Sequence, residues 1–258
     1  GTIQECCDYY GMDSEKIKLL CCPTTMKSYY NSHKDVYNEM SLADFSSKGP
    51  IPADKRIKPE VVAPGMRVIS MFSDGDTTTN QCGLEPVSDT SHSALMSQQG
   101  TSMATPLTAG ASALVRDYLE NHYAPTFGQK HSTIRGELVK AMIIHSAQPL
   151  TGNAIVSGFI EPIDQNYPNN QVGFGVINLN TVLRFPSNSS FDLFTYQEEI
   201  QAGGDQRTVK CFVTTTDSPL NMRATLTWYD PEGSTLSKVA LMNDLELNVF
   251  TGNIEAKE

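Results

Sequence analysis

From Thr101 to His122, apolar and small residues recur at helical spacing: Ala104, Leu107, Ala111, Leu114, Val115 and Tyr118 share one stripe. A helix of this kind has to bury its stripe, which commits the chain to a packed core containing helix. The head of the stretch reads Gly100-Thr101-Ser102-Met103-Ala104-Thr105-Pro106. Pro106 is expected in the first turn, where its missing N–H costs nothing. Ser102 has two readings. As a helix N-cap it contributes about 1 kcal/mol. As a nucleophile it uses the same geometry, because unsatisfied N–H groups and the positive dipole end favour a developing negative charge. Gly100 keeps side-chain bulk away from the place where a substrate backbone would approach.

With 258 residues, 39% apolar and 19% charged, the chain can bury a sizeable core in one large or two smaller domains. A formal net charge of −10 argues against a nucleic-acid partner and does not suggest an anionic membrane surface. No run of 18 apolar residues occurs, so no membrane-spanning segment is expected. The chain starts Gly1-Thr2-Ile3 and is expected to be part of a longer protein. Cys6, Cys7, Cys21, Cys22, Cys82 and Cys211 fit three disulfides of unassigned pairing. Free thiols and a metal site are the alternatives, although adjacent cysteines do not match usual zinc spacing. With a possible glycosylation triplet at Asn188-Ser189-Ser190, this leans towards an oxidising compartment, extracellular or lumenal.

Residues 1–42 read as a cysteine-containing irregular segment. Turns follow at 43–60, a short buried strand region at Val61 to Phe72, and a polar loop over 73–99. A second helix is expected over 132–146, with Ser132 as N-cap and a stripe of Ile134, Leu138, Ala141, Met142 and His145. "VGFGVINLNTVL" (172–183) is a glycine-punctuated turn leading into a short helix or strand. Beyond "RFPSNSS" (184–190) the period changes to two. Met222, Ala224, Leu226 and Trp228 alternate with Arg223, Thr225, Thr227 and Tyr229, and Leu245, Leu247 and Val249 alternate likewise with their neighbours. The expected organisation is an α/β part over 43–186 and an all-β module over 187–258.

"GTSMATP", with "FSSKGP" and "KPEVVAPG" ahead of it and "LVKAMIIHSA" and "VGFGVINLNTVL" behind it, resembles the serine-bearing part of a subtilisin-like serine protease, a subtilase. The resemblance runs over roughly 43 to 185. It implies the C-terminal part of a subtilisin-like parallel-sheet domain, with Ser102 as the catalytic serine and no cofactor. "ATLTWYDPEG" and "LMNDLELNVF" resemble the β-sandwich that follows this domain in one branch of the family, here expected to be partial. "CC…CCP" and "TNQCG" resemble a narrower set, protist subtilases in which the protease is fused to an ABC-transporter half; membrane attachment of the parent protein is not read from this chain. No P-loop motif occurs.

Subtilases carry their triad in the order Asp, His, Ser. Ahead of Ser102, neither the aspartate motif nor the histidine-glycine motif is found. His33 and His92 read as surface residues, and His145 as a packed one. Asp8, Asp13 and Asp35 lack the aspartate motif's setting. Asn31 and Asn38 stand too near "FSS" to be the family's oxyanion asparagine. "SDGDTTTN" (73–80) lacks the closing glutamate of a calcium loop. The expectation is therefore a serine endopeptidase acting on protein or peptide substrates, present as a fragment that is inactive alone. The alternative is a non-catalytic binding protein on a degenerate scaffold, with Ser102 reverting to a cap. A cysteine-based metal sensor is a third possibility.

Overall fold

The computed structural model describes residues 40–52, 55–71, 95–123, 130–156, 159–185, 191–200, 222–233 and 241–248. All six cysteines, His33, His92, Asp8, Asp13, Asp35, Asn31, Asn38, the 73–80 loop and Asn188 lie outside them.

The elements in order are β1 (Val68–Met71), β2 (Leu95–Gln98), α1 (Thr101–Asp117), α2 (Gly136–Ser146), β3 (Asn153–Val156) and β4 (Phe159–Pro162), followed by a 3₁₀ turn at Leu179–Thr181. The strands form two antiparallel hairpins, with Val68 opposite Gln98 and Asn153 opposite Pro162. The α/β character expected from the sequence is present. Among the described residues the expected parallel sheet shows only as one parallel bridge, Val62 to Val176. The expected sandwich strands do not pair in the described parts of 187–258 either.

The stripe on α1 is buried only at its C-terminal end. Val115 and Tyr118 are buried, whereas Leu107 and Leu114 are 45% and 58% exposed. Past Asp117 the chain widens into a π turn over Tyr118–His122, closed by the Tyr123 N–H donating to the Tyr118 carbonyl at 2.7 Å. The widening turns Tyr118, Leu119 and Tyr123 into one cluster with Ile134, Leu138, Met142, Ile143 and Val182. This cluster is where α1 packs against α2. Both tyrosines find partners for their hydroxyls, as buried phenols require. Tyr118 donates to the Arg184 carbonyl at 2.9 Å, and Tyr123 donates to the Leu193 carbonyl at 3.2 Å.

Helix α2 starts at Gly136, not at Ser132, and its N-cap is Arg135 without a side-chain cap bond. The Arg135 N–H instead donates to Gln197 Oε1 at 2.8 Å, and Gln197 Nε2 donates back to the Thr133 carbonyl at 2.8 Å. A side chain from far along the chain thus fixes the residues that lead into α2, where a local serine cap was expected. Residues past the expected boundary near 187 pack onto the helical core.

The segment 222–230 departs from the expected sidedness only in part. Met222 of the apolar set is 62% exposed, and Tyr229 of the other set is 77% exposed as expected, while Arg223, Thr225 and Thr227 bond to α2. Arg223 Nη1 donates to the carbonyls of His145 and Ala147 at 2.8 and 3.1 Å. Thr227 Oγ1 donates to the Glu137 carbonyl at 2.6 Å. The last carbonyls of a helix lack intrahelical donors, and a guanidinium is well suited to cover two of them.

A second cluster, Leu42, Leu150, Ala154, Ile163 and Val172, lies under the β3–β4 hairpin. It is joined to the first by the "VGFG" turn. Gly173 and Gly175 have φ of +62° and +117°. A Cβ on Gly173 would meet the Pro59 carbonyl oxygen, and one on Gly175 the Gln148 carbonyl oxygen. Glycine is required at both because two backbone segments pass there at contact distance. The bonds that result are Phe174 N–H to Glu60 O (2.8 Å), Val62 N–H to Gly175 O (2.9 Å), Ile177 N–H to Val62 O (3.1 Å), and a reciprocal pair between Gln148 and Val176 (2.9 and 2.8 Å). Three stretches separated in sequence, at 59–62, 148 and 172–177, are thereby held as one unit. Among the described residues no helix is long and apolar enough to cross a membrane.

Candidate active site

From Val62, anchored on the "VGFG" turn, the chain runs through Ala63 and Pro64 to Gly65. The Gly65 carbonyl accepts the Gly100 N–H at 2.8 Å. That single bond brings "VVAPG" against the head of α1. Gly100 is the N-cap, with φ +149° and ψ 164°, a backbone conformation that residues with a Cβ rarely adopt. Its carbonyl accepts the Met103 N–H at 3.0 Å and so starts the helix. Ser102 is the second helical residue, not the cap, and the helix has no side-chain cap bond. The cap reading of Ser102 is therefore corrected.

Ser102 is exposed. Three other hydroxyls on α1 are committed to the helix itself. Thr105, Thr108 and Ser112 donate to the carbonyls of Thr101, Ala104 and Thr108 at 2.9, 3.1 and 2.9 Å. Ser102 sits too close to the start for such back-bonding, since the residue four before it, Gln98, belongs to β2. Among the described residues its hydroxyl has no hydrogen-bond partner. The same holds for the N–H groups of Thr101 and Ser102, which precede any carbonyl that could accept them within the helix. Pro106 falls in the second turn rather than the first. Its missing N–H would have been donated to the Ser102 carbonyl, which is left without its usual partner. The first turn thus combines an uncommitted hydroxyl, free amides and the positive end of a helix of 17 residues.

The described histidines are occupied elsewhere. His131 is buried, stacks on Tyr123 at 6.5 Å and shares a 2.8 Å hydrogen bond with Thr195 Oγ1. Burial holds its pKa below the ordinary value. His145 is half-buried, with Nδ1 2.9 Å from Thr225 Oγ1. Burial, and then the Arg223 guanidinium, lower its pKa. His145 is thus a packed residue, as its place on the helix stripe suggested. His122 lies 3.7 Å from Asp117, about 30 Å along the helix axis from Ser102 at 1.5 Å per residue. A groove of about 280 Å³ between α1 and α2 is lined by Thr108 and Ser112 but not by Ser102. Those residues are six and ten positions beyond Ser102, which puts them on another side of the helix. Among the described residues no group of three metal-ligating side chains occurs.

Residues 9–175, more than half of the chain, match the Subtilase family. The chain belongs to the subtilase family. The match takes in most of the 1–42 segment, the blocks from "FSSKGP" to "LVKAMIIHSA" and the start of "VGFGVINLNTVL". Curated relatives include the serine protease/ABC transporter B family proteins tagD and tagB of Dictyostelium discoideum. TagD is 36% identical over 80% of this chain and 10% of its own length, and tagB 29% identical over 95% and 15%. The minor extracellular protease Vpr of Bacillus subtilis is 27% identical over 76% of this chain and 20% of its own length. The chain thus spans a fifth or less of the length of these relatives. No solved structure matches it. The resemblance to protist subtilases fused to an ABC-transporter half is borne out by the two Dictyostelium proteins.

Ser102 is marked as the candidate by the residues around it, and the structure places it exposed in the first turn of α1. The contact of Gly65 with Gly100 was not read from the sequence: its signal is a glycine at the end of "VVAPG", its partner lies 35 positions away, and no local pattern reports such a contact.

Proposed function

We propose that this chain is the serine-bearing part of a serine endopeptidase and that Ser102 is its nucleophile. The observation that carries the reading is the exposed, uncommitted Ser102 hydroxyl on the first turn of α1, beside amides with no other acceptor. In a chain of this family, that arrangement fits acyl transfer. The Ser102 oxygen attacks the carbonyl carbon of a peptide bond, and its proton passes to a histidine base. The carbonyl oxygen takes up negative charge, and the Ser102 N–H stabilises it together with the helix dipole. The histidine then gives its proton to the leaving amine, and water hydrolyses the acyl-enzyme to free Ser102.

The base and the aspartate that orients it are proposed to lie outside these 258 residues. His122, His131 and His145 are engaged elsewhere, and neither His33 nor His92 precedes a glycine. In subtilisin, loss of the histidine lowers kcat about 10⁶-fold. The 258-residue chain by itself is therefore expected to show negligible turnover, and the intact gene product to hydrolyse proteins. The naming of Vpr as extracellular and of the Dictyostelium relatives as transporter fusions supports placing the peptidase on the extracellular or lumenal side of a membrane-attached protein. A fluorophosphonate probe on the intact gene product tests the reading. Covalent labelling on Ser102, lost in Ser102→Ala, is expected. Unchanged proteolysis in Ser102→Ala would overturn it.

A further inference from the structure

We infer that Gly65 is a positioning residue for the nucleophile turn, acting through the Gly100 peptide. The inference rests on the reading of Ser102 as nucleophile. Three observations meet at Gly65. Its carbonyl accepts the Gly100 N–H at 2.8 Å. A Cβ built on Gly65 would stand 2.9 Å from the Gly100 carbonyl oxygen and 3.3 Å from Ala104 Cβ. The Gly100 carbonyl is in turn the acceptor for Met103 N–H, the bond that opens α1. Gly65 therefore touches both ends of the Gly100 residue, the donor on one side and the acceptor on the other. The φ of Gly65 is not in the left-handed region, so what fixes glycine there is space. The backbone of "VVAPG" lies directly against the N-cap, with no side chain between them.

The neighbourhood makes this contact directional. Two residues on, Arg67 has φ +55°, and β1 begins at Val68, paired with Gln98 at the end of β2. The ladder that opens with Val68 and Gln98 would bring residue 66 opposite Gly100, yet the bond is made by Gly65. One extra residue is thus accommodated at the base of the hairpin. Such an irregularity re-aims the chain that leaves the ladder, and the chain leaving here is Gly100-Thr101-Ser102. The anchor at the other end is Val62, tied to Gly175 and Ile177. Gly65 thus transmits the position of the "VGFG" unit to the serine.

A methyl group on Gly65 has to displace the Gly100 carbonyl by about half an ångström to reach ordinary contact distance, and the first turn moves with it. Misplacement of a reacting atom by about 1 Å costs roughly 100-fold in rate. In the intact gene product, Gly65→Ala is therefore expected to lower kcat and the fluorophosphonate labelling rate roughly tenfold, with KM within twofold. Gly110→Ala is the matched control: it lies in the same helix with nothing within 4 Å of a Cβ, and it should leave both rates unchanged. A Gly65→Ala rate equal to wild type overturns the inference. Ser102→Ala separates the two claims. If Ser102→Ala is inactive while Gly65→Ala is normal, only the positioning role fails. If Ser102→Ala stays active, the nucleophile reading fails. Should Gly65→Ala not fold, amide exchange on the wild-type intact gene product decides. The Gly100 N–H is expected to exchange more slowly than those of Thr101 and Ser102, and equal rates contradict the contact.

Discussion

Gly175→Ala tests whether the "VGFG" turn is the joint that the packing implies. A side chain at φ +117° carries a strain of about 1–3 kcal/mol. The added methyl would overlap the Gln148 carbonyl oxygen, lie 2.6 Å from its carbon and sit 3.2 Å from the Pro149 nitrogen. These are backbone atoms, so no rotamer change relieves the contact, and the 148–149 segment has to move. Moving it breaks the reciprocal Gln148–Val176 pair, at about 1 kcal/mol for each bond. The combined loss is about 4 kcal/mol, a large share of the 5–15 kcal/mol typical of a domain. Urea unfolding followed by far-UV circular dichroism, with the slope m unchanged, reads it directly. Gly110→Ala provides the contrast, because the same methyl meets open space in the interior of α1 and should stabilise by about 0.5–1 kcal/mol. A loss below about 1 kcal/mol for Gly175→Ala would refute the account of that turn.

Two further outcomes are expected. His131 and His145 both have lowered pKa values in the fold, so below the ordinary value of 6.5 the unfolded chain binds more protons than the folded one. Stability should therefore fall on acidification from about pH 7 until the lowered folded values are passed, and His131→Gln combined with His145→Gln should flatten a plot of unfolding midpoint against pH in that window. Arg223→Ala removes two donors from the end of α2 and a cation from beside His145; it should cost about 1 kcal/mol and raise the His145 pKa in an NMR titration of the imidazole.

The helices were legible in the sequence because their signals are local, and the residues that mark Ser102 as the candidate are local too. Tyr118 and Val115 fall on one stripe, and Leu138 and Met142 on another, so periodicity finds them. The glycines of "VGFG" mark a turn by themselves. What periodicity leaves out are partners distant in sequence. Gln197 holds the residues that lead into α2, where a cap at Ser132 was expected, and Gly65 meets Gly100 35 positions away. The alternation in 222–229 predicts an apolar face turned inward. In the structure Arg223 covers carbonyls at the C-terminal end of α2, which lack intrahelical donors, and Thr227 adds a bond to the Glu137 carbonyl in its first turn. Trp228 shows the cost of that docking, since its indole N–H is buried without a partner among the described residues.

The nucleophile assignment is tested most directly by mapping a fluorophosphonate adduct by mass spectrometry on the intact gene product, wild type beside Ser102→Ala. The adduct is expected on Ser102 in the wild type, with neither adduct nor proteolysis in the variant. An adduct on another residue, or full proteolysis by Ser102→Ala, would contradict the account.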